Sequence, residues 1–174
     1  MSVPETIATR RLVLRRPRRE DAAWMFANYA ADPQVTRHLH WPAHQGVEET
    51  VAFLDRCDRV WREGTAHPWV LEIREAAQPI GMVEIRHRPP KVDIGYVLAP
   101  AHRGHGYMTE AVAHLREWAL SLPDVHRFWA VCAVENTASR RVLERAGLAL
   151  EGTLKRWEWH GDEPVDVLCF AAVR

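Results

Sequence analysis

This 174-residue chain has only short apolar runs. A membrane span needs roughly 18 consecutive apolar residues, so none is expected. The first residues lack the apolar core of a secretory signal, so no leader is expected either. Cysteine is scarce. Cys57, Cys132 and Cys169 are odd in number and widely spaced, which excludes a disulfide framework and a zinc spacing. A reducing cytoplasm is the natural setting. Net charge is also absent, with 23 basic residues against 23 acidic ones. That weighs against nucleic acid as the main partner, because phosphate binding draws on clustered positive charge. Apolar residues make up 47% of the chain, too many for a disordered chain without net charge. One domain over residues 1–174 is the default at this length.

Lysine is nearly missing, since arginine supplies 21 of the 23 basic residues. Six arginines fall between Arg10 and Arg19. They read either as an RNA-binding arm or as the solvated face of a strand and its turn, and the second reading is preferred.

The periodicities predict an ordered series of elements. Thr9 to Arg16 alternates as a strand. Glu20 to Ala31 has helical spacing and stops at Asp32-Pro33. Residues 33–46 read as a loop. Val47 to Arg62 is a helix closed by Gly64. Three strands follow at Pro68–Arg74, Ile80–His87 and Lys91–Leu98, punctuated by prolines. Gly104 to Ser121 is a helix with an apolar stripe of Met108, Ala111, Val112, Leu115, Trp118 and Ala119. A strand at Arg127–Val134, a helix at Asn136–Ala146, and strands at Leu148–Trp159 and Val165–Val173 complete the chain. This order predicts an α/β fold in the mixed α+β sense: a central, mostly antiparallel sheet flanked by helices.

The densest chemical signal runs from Ile94 to Glu110. A strand leads through Arg103-Gly104-His105-Gly106-Tyr107 into an amphipathic helix. Glycines at 104 and 106 let backbone approach a ligand, and amides at a helix start make an anion site suited to a pyrophosphate. Arg103 adds a full charge. Neither of two common phosphate motifs fits: no P-loop lysine follows, and Thr109 stands where a dinucleotide fingerprint wants a third glycine or alanine.

Three stretches in order resemble the GNAT acetyltransferase superfamily, and within it the branch of ribosomal-protein N-terminal (RimJ/RimL-like) acetyltransferases. They are Thr9-Arg10-Arg11-Leu12-Val13-Leu14-Arg15, then Ile94-Gly95-Tyr96-Val97-Leu98 with Arg103–Tyr107 and Thr109-Glu110-Ala111, then Asn136 through Gly147 with Glu151-Gly152. The resemblance covers residues 7 to 173. Ala101 and Leu148 depart from the commoner residues. No tyrosine near Glu144 or Arg145 matches the one many members use to protonate the thiolate, so attention moves to Ser139.

The resemblance implies transfer of an acetyl group from acetyl-CoA, used as co-substrate, to a primary amine. A protein or peptide N-terminal α-amine is the first choice. Open alternatives are a small-molecule amine (aminoglycoside, polyamine or amino acid) and a non-catalytic acyl-CoA-binding protein. Backbone at Tyr96, Val97 and Leu98 would hold the pantetheine arm, with an amide near Val97 or Leu98 polarising the thioester carbonyl. Arg103, Gly104, His105, Gly106, Tyr107 and Met108 would hold the pyrophosphate. Asn136 resembles a pantetheine contact, and Ser139 the hydroxyl near the sulfur. Glu158 is the first candidate for the base, Glu84 the reserve and Asp93 the third. Trp41 would help wall the acceptor site. Among ten histidines, His38 with His40 and His102 with His105 form close pairs, but no third ligand is spaced to close a metal site, and the reaction needs no metal. A monomer or homodimer is expected.

Overall fold

The strand expected at Thr9–Arg16 is shorter, Leu12–Arg15, and a strand not expected from the sequence precedes it. In the computed structural model, which describes residues 3–174, β1 (Thr6–Ala8) pairs antiparallel with β2 (Leu12–Arg15). The turn closes where the Thr9 amide donates to the Leu12 carbonyl at 2.9 Å. Three residues of β1 carry too little alternation to be legible, whereas Leu12 and Leu14 are fully buried.

The next helix, α1 (Asp21–Met25), widens into a π-helical turn over Phe26–Ala30. Asp32-Pro33 ends it as expected, but the same dipeptide opens a further helix, α2 (Pro33–Thr36). Asp32 caps this helix by accepting from the Gln34 amide at 2.8 Å, and proline suits a first helical position because its missing N–H is an orphan there. A short helix therefore stands within the expected loop. α3 (Val47–Glu63) ends at Gly64, whose φ of +67° closes it in the left-handed region.

The three expected middle strands form an antiparallel meander: β3 (His67–Ile73), β4 (Gln78–Arg88) and β5 (Lys91–Leu98). α4 (Tyr107–Ser121) crosses to β6 (Arg127–Ala133), α5 (Thr137–Arg145) follows, and β7 (Ala149–His160) and β8 (Glu163–Val173) close the chain. All eight strands join one sheet in the order β1-β2-β3-β4-β5-β6-β8-β7. Among the described residues only β5 and β6 run parallel. α4 starts three residues later than the apolar pattern implied, because Gly104 (φ +83°) and Gly106 (φ +75°) are left-handed.

The sheet is covered on both faces. α1, its π turn and α3 pack Met25, Tyr29, Leu54 and Cys57 against Val70 and Met82. α4 and α5 pack Met108, Val112, Leu115 and Leu143 against Val83, Ile85, Phe128 and Phe170. The stripe expected on α4 is buried except for Trp118, which is half-buried. Burying a side chain such as Leu115 contributes about 1.5–3 kcal/mol. No helix among the described residues is long and apolar enough to cross a membrane.

Two features of the sheet position the site. β5 pairs with β6 only from Lys91 to Asp93; beyond that the parallel strands part. The β5 backbone from Ile94 to Leu98 that faces β6 therefore has no strand partner. Second, β7 bulges between Leu154 and Glu158, which pair with Val167 and Val165. Arg156 sits in the bulge with φ +50°.

Candidate active site

The arginine-rich start serves the fold. The Arg11 amide and the Thr9 hydroxyl both donate to Glu110 Oε1 at 2.7 Å, and Arg11 Nε donates to Glu110 Oε2 at 2.6 Å. Arg11 also donates to the His105 carbonyl at 2.9 Å and lies over the Tyr107 ring. Arg15 holds Asp21 and Glu72, and Arg16 holds Glu5 and Asp58. Arg11 thus clamps the glycine loop and the first turn of α4 from outside.

Burial pushes the Glu110 carboxyl up, but the hydrogen bonds from Thr9 and Arg11 outweigh it and hold the pKa below its ordinary value. A carboxyl depressed by folding stabilises the protein above its unfolded pKa, near 4.3, and loses that contribution as pH falls through the folded pKa. Wild type should therefore melt above Glu110→Gln at pH 6, and the gap should close as pH drops below about 4.3, which melting curves across pH will check.

Two cavities meet at the splay. The first, of about 380 Å³, lies between the glycine loop and the start of α5. Gly104, Gly106, Tyr107 and Met108 line it, with Arg37, Arg103, Arg141 and Arg145 against one carboxylate, Glu135. Those four arginines make no ion pair among the described residues. Arg103 donates weakly to the Leu98 carbonyl at 3.4 Å. An electropositive pocket with left-handed glycines at a helix start suits a polyphosphate. His105 is outside the lining; its carbonyl is taken by Arg11, and its ring stacks on Tyr107.

The second cavity, of about 350 Å³, lies on the other side. Glu84, Asp93, Glu158, Trp41 and Trp157 line it. His38, Leu39, Tyr96, Val97, Asn136 and Ser139 border both cavities. At this junction the Asn136 side chain caps α5 by accepting from the Ser139 amide at 3.0 Å. Asn136, not Ser139, is the cap, and the Ser139 hydroxyl takes no part in it. It shares a 2.8 Å hydrogen bond with the Tyr96 hydroxyl. Burial raises the Tyr96 pKa well above its ordinary value, and its hydrogen bond with Ser139 only partly offsets this. Tyr96 is therefore a neutral hydroxyl backing another hydroxyl. This pairing spans 43 residues and left no sequence signal.

The three candidate carboxylates differ in their neighbours. Arg86 Nη1 lies 2.6 Å from Glu84, and Arg86 Nε lies 2.5 Å from Asp93. Both are committed to one guanidinium. Glu158 shares a face with Leu154, because their partners Val165 and Val167 are two apart on β8. Among the described residues no arginine pairs with it, and two imidazoles flank it. His40 Nε2 lies 3.5 Å from one of its oxygens and His160 Nε2 3.6 Å from the other. Trp41 packs on His44 and Phe53 and also borders the cavity. Cys132 lines the same cavity, where burial pushes its thiol up to about 11, so it is no thiolate nucleophile at neutral pH.

Residues 11–149 match the acetyltransferase (GNAT) domain family. The chain belongs to the GNAT acetyltransferases. It is 26% identical to an uncharacterized N-acetyltransferase of Bacillus subtilis, YoaA, over 97% of this chain and 96% of that one. It is 29% identical to the ribosomal-protein-serine acetyltransferase of Escherichia coli, over 80% of this chain and 79% of that one. RimJ of Mycobacterium smegmatis, solved in complex with CoA-disulfide, superposes with a TM-score of 0.82 at 26% identity, covering 93% of this chain and 81% of that one. The RimJ/RimL-like branch and the mixed, mostly antiparallel sheet inferred from the sequence therefore both hold for this acetyltransferase.

Proposed function

We propose that this acetyltransferase moves the acetyl group of acetyl-CoA onto a primary amine, first of all a peptide or protein N-terminal α-amine, in a reducing cytoplasm. The observation that carries the reading is the junction of the two cavities at Tyr96 and Ser139. The arginine-rimmed cavity would hold the coenzyme's phosphates on the amides of Arg103, Gly104, Gly106, Tyr107 and Met108. The unpaired edge of β5 would take the pantetheine arm as if it were a strand. That arrangement delivers the thioester to the junction, with the acceptor entering from the cavity of Trp41 and Glu158.

The neutral amine attacks the thioester carbon, and the carbonyl oxygen gains charge beside the β5 amides near Val97 or Leu98. Glu158 accepts the amine proton. The tetrahedral intermediate collapses and expels the coenzyme thiolate, which takes a hydrogen bond or proton from Ser139. Tyr96 supports that hydroxyl as the next donor in line. A free thiol has a pKa near 8.5, so this leaving group needs only modest help.

The deciding experiment offers acetyl-CoA with a panel of amines and follows free thiol. The panel holds a peptide with N-terminal serine, chosen from what the E. coli relative is named for, with spermidine, an aminoglycoside and free amino acids. Fastest turnover on the peptide supports the reading. Fastest turnover on a small amine overturns the acceptor class, and acetyl-CoA binding without thiol release on any amine favours a sensor. Ser139→Ala should cut turnover roughly 10- to 1000-fold, against a general scale for acid catalysis near 10²–10⁴, with little change in acetyl-CoA affinity. Tyr96→Phe should give a smaller loss in the same direction. Unchanged turnover in both, with chemistry limiting, removes the hydroxyl pair from the mechanism.

A further inference from the structure

Outside the coenzyme cavity, three lone-pair donors from distant parts of the chain meet beside the acceptor cavity, which His40 and Glu158 line. His40 comes from the loop after α2, and Glu158 and His160 from the end of β7. Each offers one ligand atom, and these atoms all lie within 4.8 Å of one another. The 3.5 and 3.6 Å separations from the imidazole nitrogens to the two Glu158 oxygens are longer than a hydrogen bond. His160 Nε2 is also buried without any hydrogen-bond partner. A cation held between that nitrogen and the carboxylate would give the nitrogen the partner it lacks.

We infer that His40, Glu158 and His160 form a binding site for a divalent transition-metal ion, of which Zn²⁺ is the natural probe. Zinc–nitrogen bonds of about 2.0–2.1 Å in a tetrahedron put neighbouring donor atoms about 3.4 Å apart. The 3.5 Å gap from His40 to Glu158 Oε1 and the 3.6 Å gap from His160 to Oε2 are each close to that edge, and a turn of the carboxylate that brings one oxygen to the ion, with a small movement of the exposed His40, closes the rest. Two imidazoles and a carboxylate favour zinc, copper or nickel over magnesium or calcium. Three protein ligands leave a fourth position open. His38 is a neighbour rather than a ligand: its Nε2 accepts from Arg37 at 3.0 Å, and its ring stands 6.4 Å from His160.

The consequence for catalysis rests on the acetyl-transfer reading. A metal held by Glu158 removes the base and fills the acceptor mouth, so it inhibits transfer in competition with the amine. It leaves the coenzyme cavity untouched. Metal binding itself stands on the three side chains alone, so its failure and the failure of the transfer reading are separable.

The test is calorimetric titration of Zn²⁺ into chelator-treated protein bearing no histidine tag, with Co²⁺ absorption as a second readout. One equivalent should bind, and His40→Gln and His160→Gln should each weaken it at least tenfold, since even outer partners of metal ligands are worth ~10–100-fold. Both variants should still show the full acetyl-CoA melting shift, which confirms that they fold. His126→Gln, an exposed residue beside Arg174, should bind Zn²⁺ as wild type does. No stoichiometric binding, or equal affinity in wild type and either ligand variant, overturns the site.

Discussion

Replacing Gly106 with valine should abolish the rise in melting temperature that acetyl-CoA produces. Gly106 has φ +75°, and a Cβ there would meet only Arg11 Nη2, at 3.5 Å. The obstacle is therefore the backbone and not crowding. A left-handed conformation costs an ordinary residue about 1–2 kcal/mol, and β-branching stiffens the side chain further. The loop would relieve the strain by turning, which swings the amides at the start of α4 away from the cavity. The apo protein should lose little, because the sheet and both cores lie elsewhere. At a ligand concentration a hundredfold above Kd, binding stabilises the folded state by about 2.7 kcal/mol. That corresponds to roughly 5–10 °C for a chain of this size. Gly152→Ala is the matched control, because Gly152 has no positive φ and open space around it; it should keep the full shift. An equal shift in Gly106→Val and wild type would remove the loop from the coenzyme site.

The glycine loop was readable because its signal is local: two glycines, a basic residue and an amphipathic helix within twenty positions. The β3–β5 meander was readable for the same reason, through Pro79 and Pro89-Pro90. The clamp on the loop was not. Thr9, Arg11 and Glu110 meet across about a hundred residues, and a run of arginines looks the same whether it faces solvent or carboxylates. The β7 bulge was hidden because period-2 counting assumes an unbroken strand, and Arg156 in a left-handed conformation breaks it without a glycine to announce it. Glu158 kept its face only because the bulge adds two residues rather than one. His160 carried no motif at all. It acquires meaning when the fold sets it beside His40, 120 positions earlier.

Glu158→Gln should lower turnover on a peptide α-amine at pH 7 by about 10²-fold or more, the scale for a positioned base, and the loss should shrink as pH rises. An α-amine has a pKa of about 7.7–8.0, so roughly a tenth is neutral at pH 7 and about half near pH 8. Without Glu158 the enzyme depends on that solvent-supplied fraction, and the variant's rate should climb with it. Glu84→Gln should show neither effect, because Glu84 is bound to Arg86 at 2.6 Å while Asp93 holds the same guanidinium from its other side. The position of Glu158 explains the difference. Its side chain is 14% exposed and its nearest titratable neighbours are the His40 and His160 imidazoles, with no arginine pairing it among the described residues, so it is free to take a proton from an amine entering past Trp41. The assay should contain a chelator, which keeps any metal off Glu158 in wild type and holds the comparison to the base alone. With the chemical step limiting, a sensitive Glu84 and a silent Glu158 would transfer the role to Glu84. Two silent variants would leave the proton to solvent, and the enzyme would then follow the amine's own titration at every pH.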